Sequence, residues 1–128
     1  MKSIGLIITL AMMILSNCVI RPTSGPVRLI YPEDRPVEIE LKSYSFQPNH
    51  IAILQSQSPL TFRLTNTASM RHNFTLIDSL KNVLVTKDVK PKGSITVTLE
   101  PLSPGNYTFY CNRFLHRLGG MKGMLMLD

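Results

Sequence analysis

From Val37 onward, apolar and polar residues trade places with a period of two. Val37, Ile39 and Leu41 alternate with Glu38, Glu40 and Lys42, as in a half-buried strand. Tyr44 and Phe46 continue the pattern up to Pro48, and His50-Ile51-Ala52-Ile53-Leu54 forms a short apolar run. A polar turn at 55–58 leads into Leu60, Phe62 and Leu64. In 70–78, His72, Phe74 and Leu76 share one face. Residues 83–86 read as a short strand after a turn at Lys81-Asn82, and residues 87–93 read as a basic loop. Ile95, Val97 and Leu99 then alternate with Thr96 and Thr98. Tyr107, Phe109 and Cys111 lie opposite Thr108 and Tyr110. The chain next breaks into a loop holding His116, Gly119, Gly120 and Met121, and returns to extended structure through 124–127. About eight short strands with turn signals between them, and no amphipathic helical period, predict an all-β sandwich or small barrel.

The N-terminus follows a different pattern. Met1-Lys2 precedes residues 4–15, twelve residues without a charge. That run has the length of a signal-peptide apolar core and is too short to span a bilayer as a helix. It ends in Leu15-Ser16-Asn17-Cys18, which resembles a bacterial lipobox, although Asn17 stands where a small residue is usual. Residues 1–18 therefore read as a signal peptide with a lipobox-like end. Cys18 is the candidate lipidation site, and an incidental cysteine beside an ordinary cleavage site is the other reading. Residues 19–36 contain Pro22, Pro26, Pro32 and Pro36 with Ser24-Gly25 among them, the composition of a semi-extended tether. Residues 37–128 are the folded domain.

Composition narrows the partners. Fourteen Lys and Arg against eight Asp and Glu give a formal charge of +6. The excess favours acidic partners, but it is not gathered into the basic runs of a nucleic-acid binder. The two cysteines, Cys18 and Cys111, fall in segments with different fates, which argues against a disulfide between them.

The chemistry concentrates in the loop after the Cys111 strand. Cys111-x4-His116-x4-Met121 offers a thiol, an imidazole and a thioether, the donor set that selects copper and suits electron transfer. His72 is the natural fourth donor, because it falls in phase with the inward-facing Phe74 and Leu76. Taken singly, each residue has a plainer reading: a buried small hydrophobe for Cys111, a core or solvated histidine, a packing methionine. Jointly those readings leave the pattern unexplained. His50 has no partner at ligand spacing and reads as a surface or strand-edge residue.

This combination resembles the cupredoxins, the small blue-copper proteins. The likeness covers residues 37–128 and rests on Phe46-Gln47-Pro48-Asn49, on the His72-Asn73 pair, on the aromatic strand Tyr107-Thr108-Phe109-Tyr110 leading to Cys111, and on a Cys-x4-His-x4-Met spacing like that of rusticyanin. It implies a Greek-key β-sandwich of about eight strands and one copper ion held by His72, Cys111, His116 and Met121. Asn73 would brace the cysteine loop, with Asn112 after the cysteine as its contact. Phe74, Phe114, Leu115 and Leu118 would supply an apolar surround that favours Cu(I). By the same likeness the His116 ring edge is an electron gate, and Phe114, Leu115 and Leu118 form a docking patch around it. Arg71, Arg113, Arg117 and Lys122 would add a basic rim that steers acidic redox partners.

The expected function is a monomeric one-electron carrier, exported and lipid-anchored at the periplasmic or extracellular face of a membrane, and not an enzyme. Tyr110 and Asn112, not histidines, flank Cys111, and the chain holds only three histidines in all. The alternative is a chaperone or storage protein that delivers Cu(I).

Overall fold

The computed structural model describes residues 28–30, 35–54 and 59–128, with the side chains of 28–30, Arg117 and Leu118 left aside. The signal sequence, Cys18, most of the Pro-rich stretch and the turn at 55–58 lie outside the described residues. Ten strands and one short helix follow in order: β1 (Arg28–Ile30), β2 (Val37–Lys42), β3 (Ser45–Gln47), β4 (His50–Ile53), β5 (Leu60–Asn66), β6 (His72–Ile77), β7 (Val83–Val89), β8 (Ser94–Leu99), β9 (Gly105–Tyr110), α1 (Phe114–Leu118) and β10 (Lys122–Leu127). They form two sheets, β1-β4-β10-β9-β6-β7 and β3-β2-β5-β8. This is the all-β sandwich that the period-two alternation predicts.

Register explains the core. Val37, Ile39 and Leu41 of β2 lie beside Phe62, Leu64 and Asn66 of β5, so the inward residues of the smaller sheet form one layer. In the larger sheet, Leu125 pairs with both Ile51 and Tyr107, and Leu76 pairs with Phe109. Four phenylalanines knit the layers together. Phe46 meets Phe109 edge-on at 5.2 Å, Phe62 lies 5.5 Å from Phe74, and Phe74 stacks on Phe109 at 5.6 Å. Gly123 makes this possible. A Cβ there would run into the Phe109 ring and come within 2.7 Å of the Asn49 carbonyl oxygen.

The structure departs from the sequence expectation in three places. Ordered structure does not begin at Val37, because Arg28–Ile30 inside the Pro-rich stretch forms β1 and pairs in parallel with β4. Residues 87–89 are strand, not loop. β7 is the edge of the larger sheet, where charged Lys87 and Asp88 are tolerated and discourage further pairing. The loop after Cys111 contains α1, a single turn too short to leave a helical period in the sequence.

Candidate metal centre

Two of the four predicted donors arrive on strands. His72 opens β6, whose six residues are all buried, and it lies beside Val89 of β7. The segment before it is tied down by Asn66, whose side-chain amide donates to the carbonyls of Met70 (2.8 Å) and Val89 (3.0 Å) and accepts from the Ala68 amide (3.0 Å). Cys111 extends β9 by one residue, in phase with the buried Tyr107 and Phe109, and its amide donates to the Met121 carbonyl at 3.1 Å.

The other two arrive on the loop. α1 carries His116, whose amide donates to the Arg113 carbonyl at 3.0 Å. The Met121 amide donates back to the His116 carbonyl at 3.1 Å, after Gly120 has turned the chain at φ 83°. Met121 is thus bonded through its backbone to both Cys111 and His116, and its side chain is fully buried.

The donor atoms converge. His72 Nδ1 lies 3.0 Å from His116 Nδ1, and Cys111 Sγ lies 3.4 Å from His116 Nδ1. Ligand atoms of His72, Cys111 and His116 all fall within 4.8 Å of one another, and all three residues are buried. His72 Nε2 is buried with no hydrogen-bond partner among the described residues. Packing alone gives no reason to bring two imidazole Nδ1 atoms and a thiol together in the core, where polar donors cost free energy unless they are satisfied. A shared soft cation does give a reason, and this donor set fits one copper ion.

The electrostatics keep both rings in the form that binds metal. Burial pushes His72 below the ordinary histidine range, helped by the nearby His116 and Arg113. Burial does the same to His116, again with Arg113 adding to it. Neutral imidazoles can share one proton across the 3.0 Å contact, whereas two cations could not sit so close.

Asn73 braces the centre from behind. Its amide donates to Cys111 Sγ at 3.3 Å, and its side-chain oxygen accepts from the Asn112 amide at 3.4 Å. Its side-chain NH2 donates to Asp88 (2.9 Å) and Thr86 (3.1 Å), and the Thr75 hydroxyl donates to its oxygen at 2.6 Å. Asn112 takes part through its backbone.

Tyr44 was not expected here. It lies in the turn between β2 and β3 at φ 63°, a strained setting for a bulky residue. Its ring meets the His116 ring edge-on, with centroids 4.9 Å apart. The sequence held one clue: a tyrosine between two serines in a tight turn, where small residues are usual.

The expected surround is only partly present. Phe74 is buried in the core, but Phe114 and Leu115 are 78% and 68% exposed and so do not line the site. Arg113 and Lys122 are exposed. Arg71 is exposed too, and pairs with Asp88 at 3.9 Å. Arg117 and Leu118 lie on α1, with side chains outside the description.

The cupredoxin-like domain family matches residues 6–126. No curated protein matches the sequence. Among solved structures, a dithionite-reduced auracyanin from Roseiflexus castenholzii is 22% identical, with 73% of this chain and 96% of that chain covered at a TM-score of 0.63. Auracyanin A from Chloroflexus aurantiacus, a "blue" copper protein, is 15% identical over 79% and 100% of the two chains, also at 0.63. Reduced rusticyanin is 16% identical over 78% and 84%, at 0.60. At these identities the likeness is one of fold.

Proposed function

The chain belongs to the cupredoxin-like family, and from that premise we propose that it is a mononuclear type 1 copper protein, carrying single electrons between redox partners outside the cytoplasm. The observation that carries this reading is the buried convergence of His72, Cys111 and His116. Copper bound there supplies a one-electron Cu(I)/Cu(II) couple.

The residues around it do the rest. His72 and Cys111 stay in place because the β6 and β9 ladders fix them, so the donor positions change little with the charge at the centre. The Asn73 amide at 3.3 Å withdraws density from the sulfur, which favours the reduced state. Met121, buried and locked to the loop backbone, would supply the thioether donor to the copper. Core packing behind Phe74 excludes water, and His116, 8% exposed, is the donor nearest the surface. Exposed Phe114 and Leu115 beside it offer apolar contact to a partner, in line with a docking role for the α1 turn that includes Leu118. Arg113, Arg117 and Lys122 would steer an acidic partner, and the Asp88 pair takes Arg71 partly out of that rim. Electron-transfer rates with such a partner should fall as ionic strength rises; rates indifferent to salt would remove the rim from the account.

The reading is of a carrier and not an enzyme or a chaperone. No histidine flanks Cys111 to feed a second copper centre. Donors this deeply buried suit retention more than handover to an acceptor. Among the described residues no helix is long and apolar enough to cross a membrane. Export, and anchoring through Cys18, remain part of the proposal, tested by the mass of the mature N-terminus.

The deciding experiment is optical. Cu(II) added to the metal-free protein should produce an intense thiolate-to-copper band that reductant bleaches and oxidant restores. A protein that binds copper without colour, or that holds only Cu(I), would overturn the carrier reading.

A further inference from the structure

We propose that the outer face of the larger sheet carries a second, surface site for Cu(I), formed by His50, Met124 and Met126. It is separate from the buried centre and does not depend on the carrier reading.

The argument starts with β10. Its inward residues after Gly123 are both leucine, Leu125 and Leu127, and both are buried. Its outward apolar residues are both methionine, Met124 and Met126, 47% and 45% exposed. Residues two apart on a strand share a face and stand about 6.6 Å apart along it. The neighbouring parallel strand supplies an imidazole: His50 of β4 is the register partner of Met124. Paired residues on adjacent strands lie about 4.8 Å apart and point to the same side. Their inward successors, Ile51 and Leu125, are paired and fully buried, which places His50 and Met124 outward together. Met126 pairs with Ala52, whose methyl is too short to stand between the Met126 thioether and His50.

The imidazole of His50 has no hydrogen bond or ion pair among the described residues. On the other side of β10, Met124 faces Thr108 and Met126 faces Asn106. These neighbours offer no charge and no competing soft donor. Two flexible thioethers and one imidazole in this arrangement can close on one ion, since methionine has three rotatable bonds and adapts its reach. Soft donors without carboxylate select Cu(I) over zinc or magnesium. Lys122, exposed two residues before Met124 on the same face, repels a divalent ion more than a monovalent one.

The test uses the reduced, copper-loaded protein under anaerobic conditions, with Cu(I) as the probe against a competing chelator. A second equivalent should be retained and should shift two methionine methyl resonances, those of Met124 and Met126. In the double variant M124L/M126L, a volume-conserving change on an exposed face, the second equivalent should be lost while the blue band of the oxidised protein is unchanged. H50Q should weaken the second equivalent and leave the first. Cys111→Ser should remove the band yet keep the surface equivalent, which separates failure of this site from failure of the buried one. If the loaded wild-type protein retains no second equivalent, or M124L/M126L retains it undiminished, the proposal is overturned.

Discussion

The two halves of the metal centre are built in different ways. His72 and Cys111 stand on a sheet, where β6 is hydrogen-bonded to a strand on either side and Asn73 ties strand, sulfur and loop together. His116 and Met121 hang from a loop held by a few backbone hydrogen bonds and the ring contacts of His116 with Tyr44 and His72, beside the exposed Phe114 and Leu115. Few buried contacts mean low local stability. The sheet half sets where the metal can be. The loop half sets how closely it is enclosed, and it is also the side that carries the proposed docking residues.

Cys111 joins the halves, so removing its sulfur should have the largest effect. Cys111→Ser should abolish the intense band while leaving the metal-free fold close to wild type by circular dichroism. Persistence of the band would mean that the thiolate of another residue is the ligand.

Two variants of the sheet half should come next, in order of size. Gly123→Ala forces a methyl into Phe109 and toward the Asn49 carbonyl. Backbone and a packed ring cannot both yield cheaply, so it should destabilise by about 3 kcal/mol or more, at the upper end of overpacking. A midpoint in denaturant near wild type would show that β10 can shift and that the sheet half is softer than argued. Asn73→Ala removes hydrogen bonds to Asp88, Thr86, Thr75 and the Asn112 amide; Thr75 and Thr86 keep each other and Asp88 keeps Arg71, so the cost should be about 1–3 kcal/mol. Its backbone amide to sulfur remains, so the band should survive with a changed copper off-rate, measured by chelator challenge.

This contrast also separates what the sequence discloses from what it hides. The sheet half was legible because period-two alternation fixes which side chains face inward: the phase of His72 with Phe74, and of Cys111 with Phe109, placed two donors in the core before any geometry was known. In the loop, the spacing from Cys111 singled out His116, which the structure brings to the cluster, and Met121, which it buries beside the loop backbone. Tyr44 was hidden because the alternation counted it with Phe46, whereas the chain turns at Ser43-Tyr44 and its ring reaches across the sandwich to His116. Phe114 and Leu115 were misplaced as metal surround because an apolar residue in a loop does not declare which way it faces. β1 was missed because the prolines around it, Pro26 and Pro32, hide three strand residues, and the pairing of His50 with Met124 was out of reach because the two lie 74 positions apart in sequence and side by side in register.

Acid should distinguish the halves less strongly but in a definite direction. Both imidazoles are held below the ordinary histidine range, so below about pH 6.5 the unfolded chain binds more protons than the folded one. Stability of the metal-free protein therefore falls as the pH drops from 7 toward 5. The unfolding midpoint should track that fall, and His72→Gln should flatten it. A midpoint constant across the range would mean that the two rings do not titrate against the fold.

The smallest expected effect lies at Tyr44, and it bears most directly on the loop half. Its contact with His116 is an edge-to-face pair, worth about 0.5–1.5 kcal/mol, and the left-handed backbone at φ 63° opposes part of that gain. Replacing the ring should therefore cost little stability: Tyr44→Ala removes the contact, while Tyr44→Gly also relieves the backbone and should come out the more stable of the two. If the ring holds His116 in place, both variants should shift the reduction potential and broaden the copper signal in electron paramagnetic resonance, and Tyr44→Phe, which keeps the edge contact, should restore both. If the ring merely shields the surface, the potential should stay where it is in all three. That second outcome would make the loop backbone, through its bonds from Arg113 to His116 and from His116 to Met121, sufficient to orient the donor nearest the surface without help from the opposite sheet.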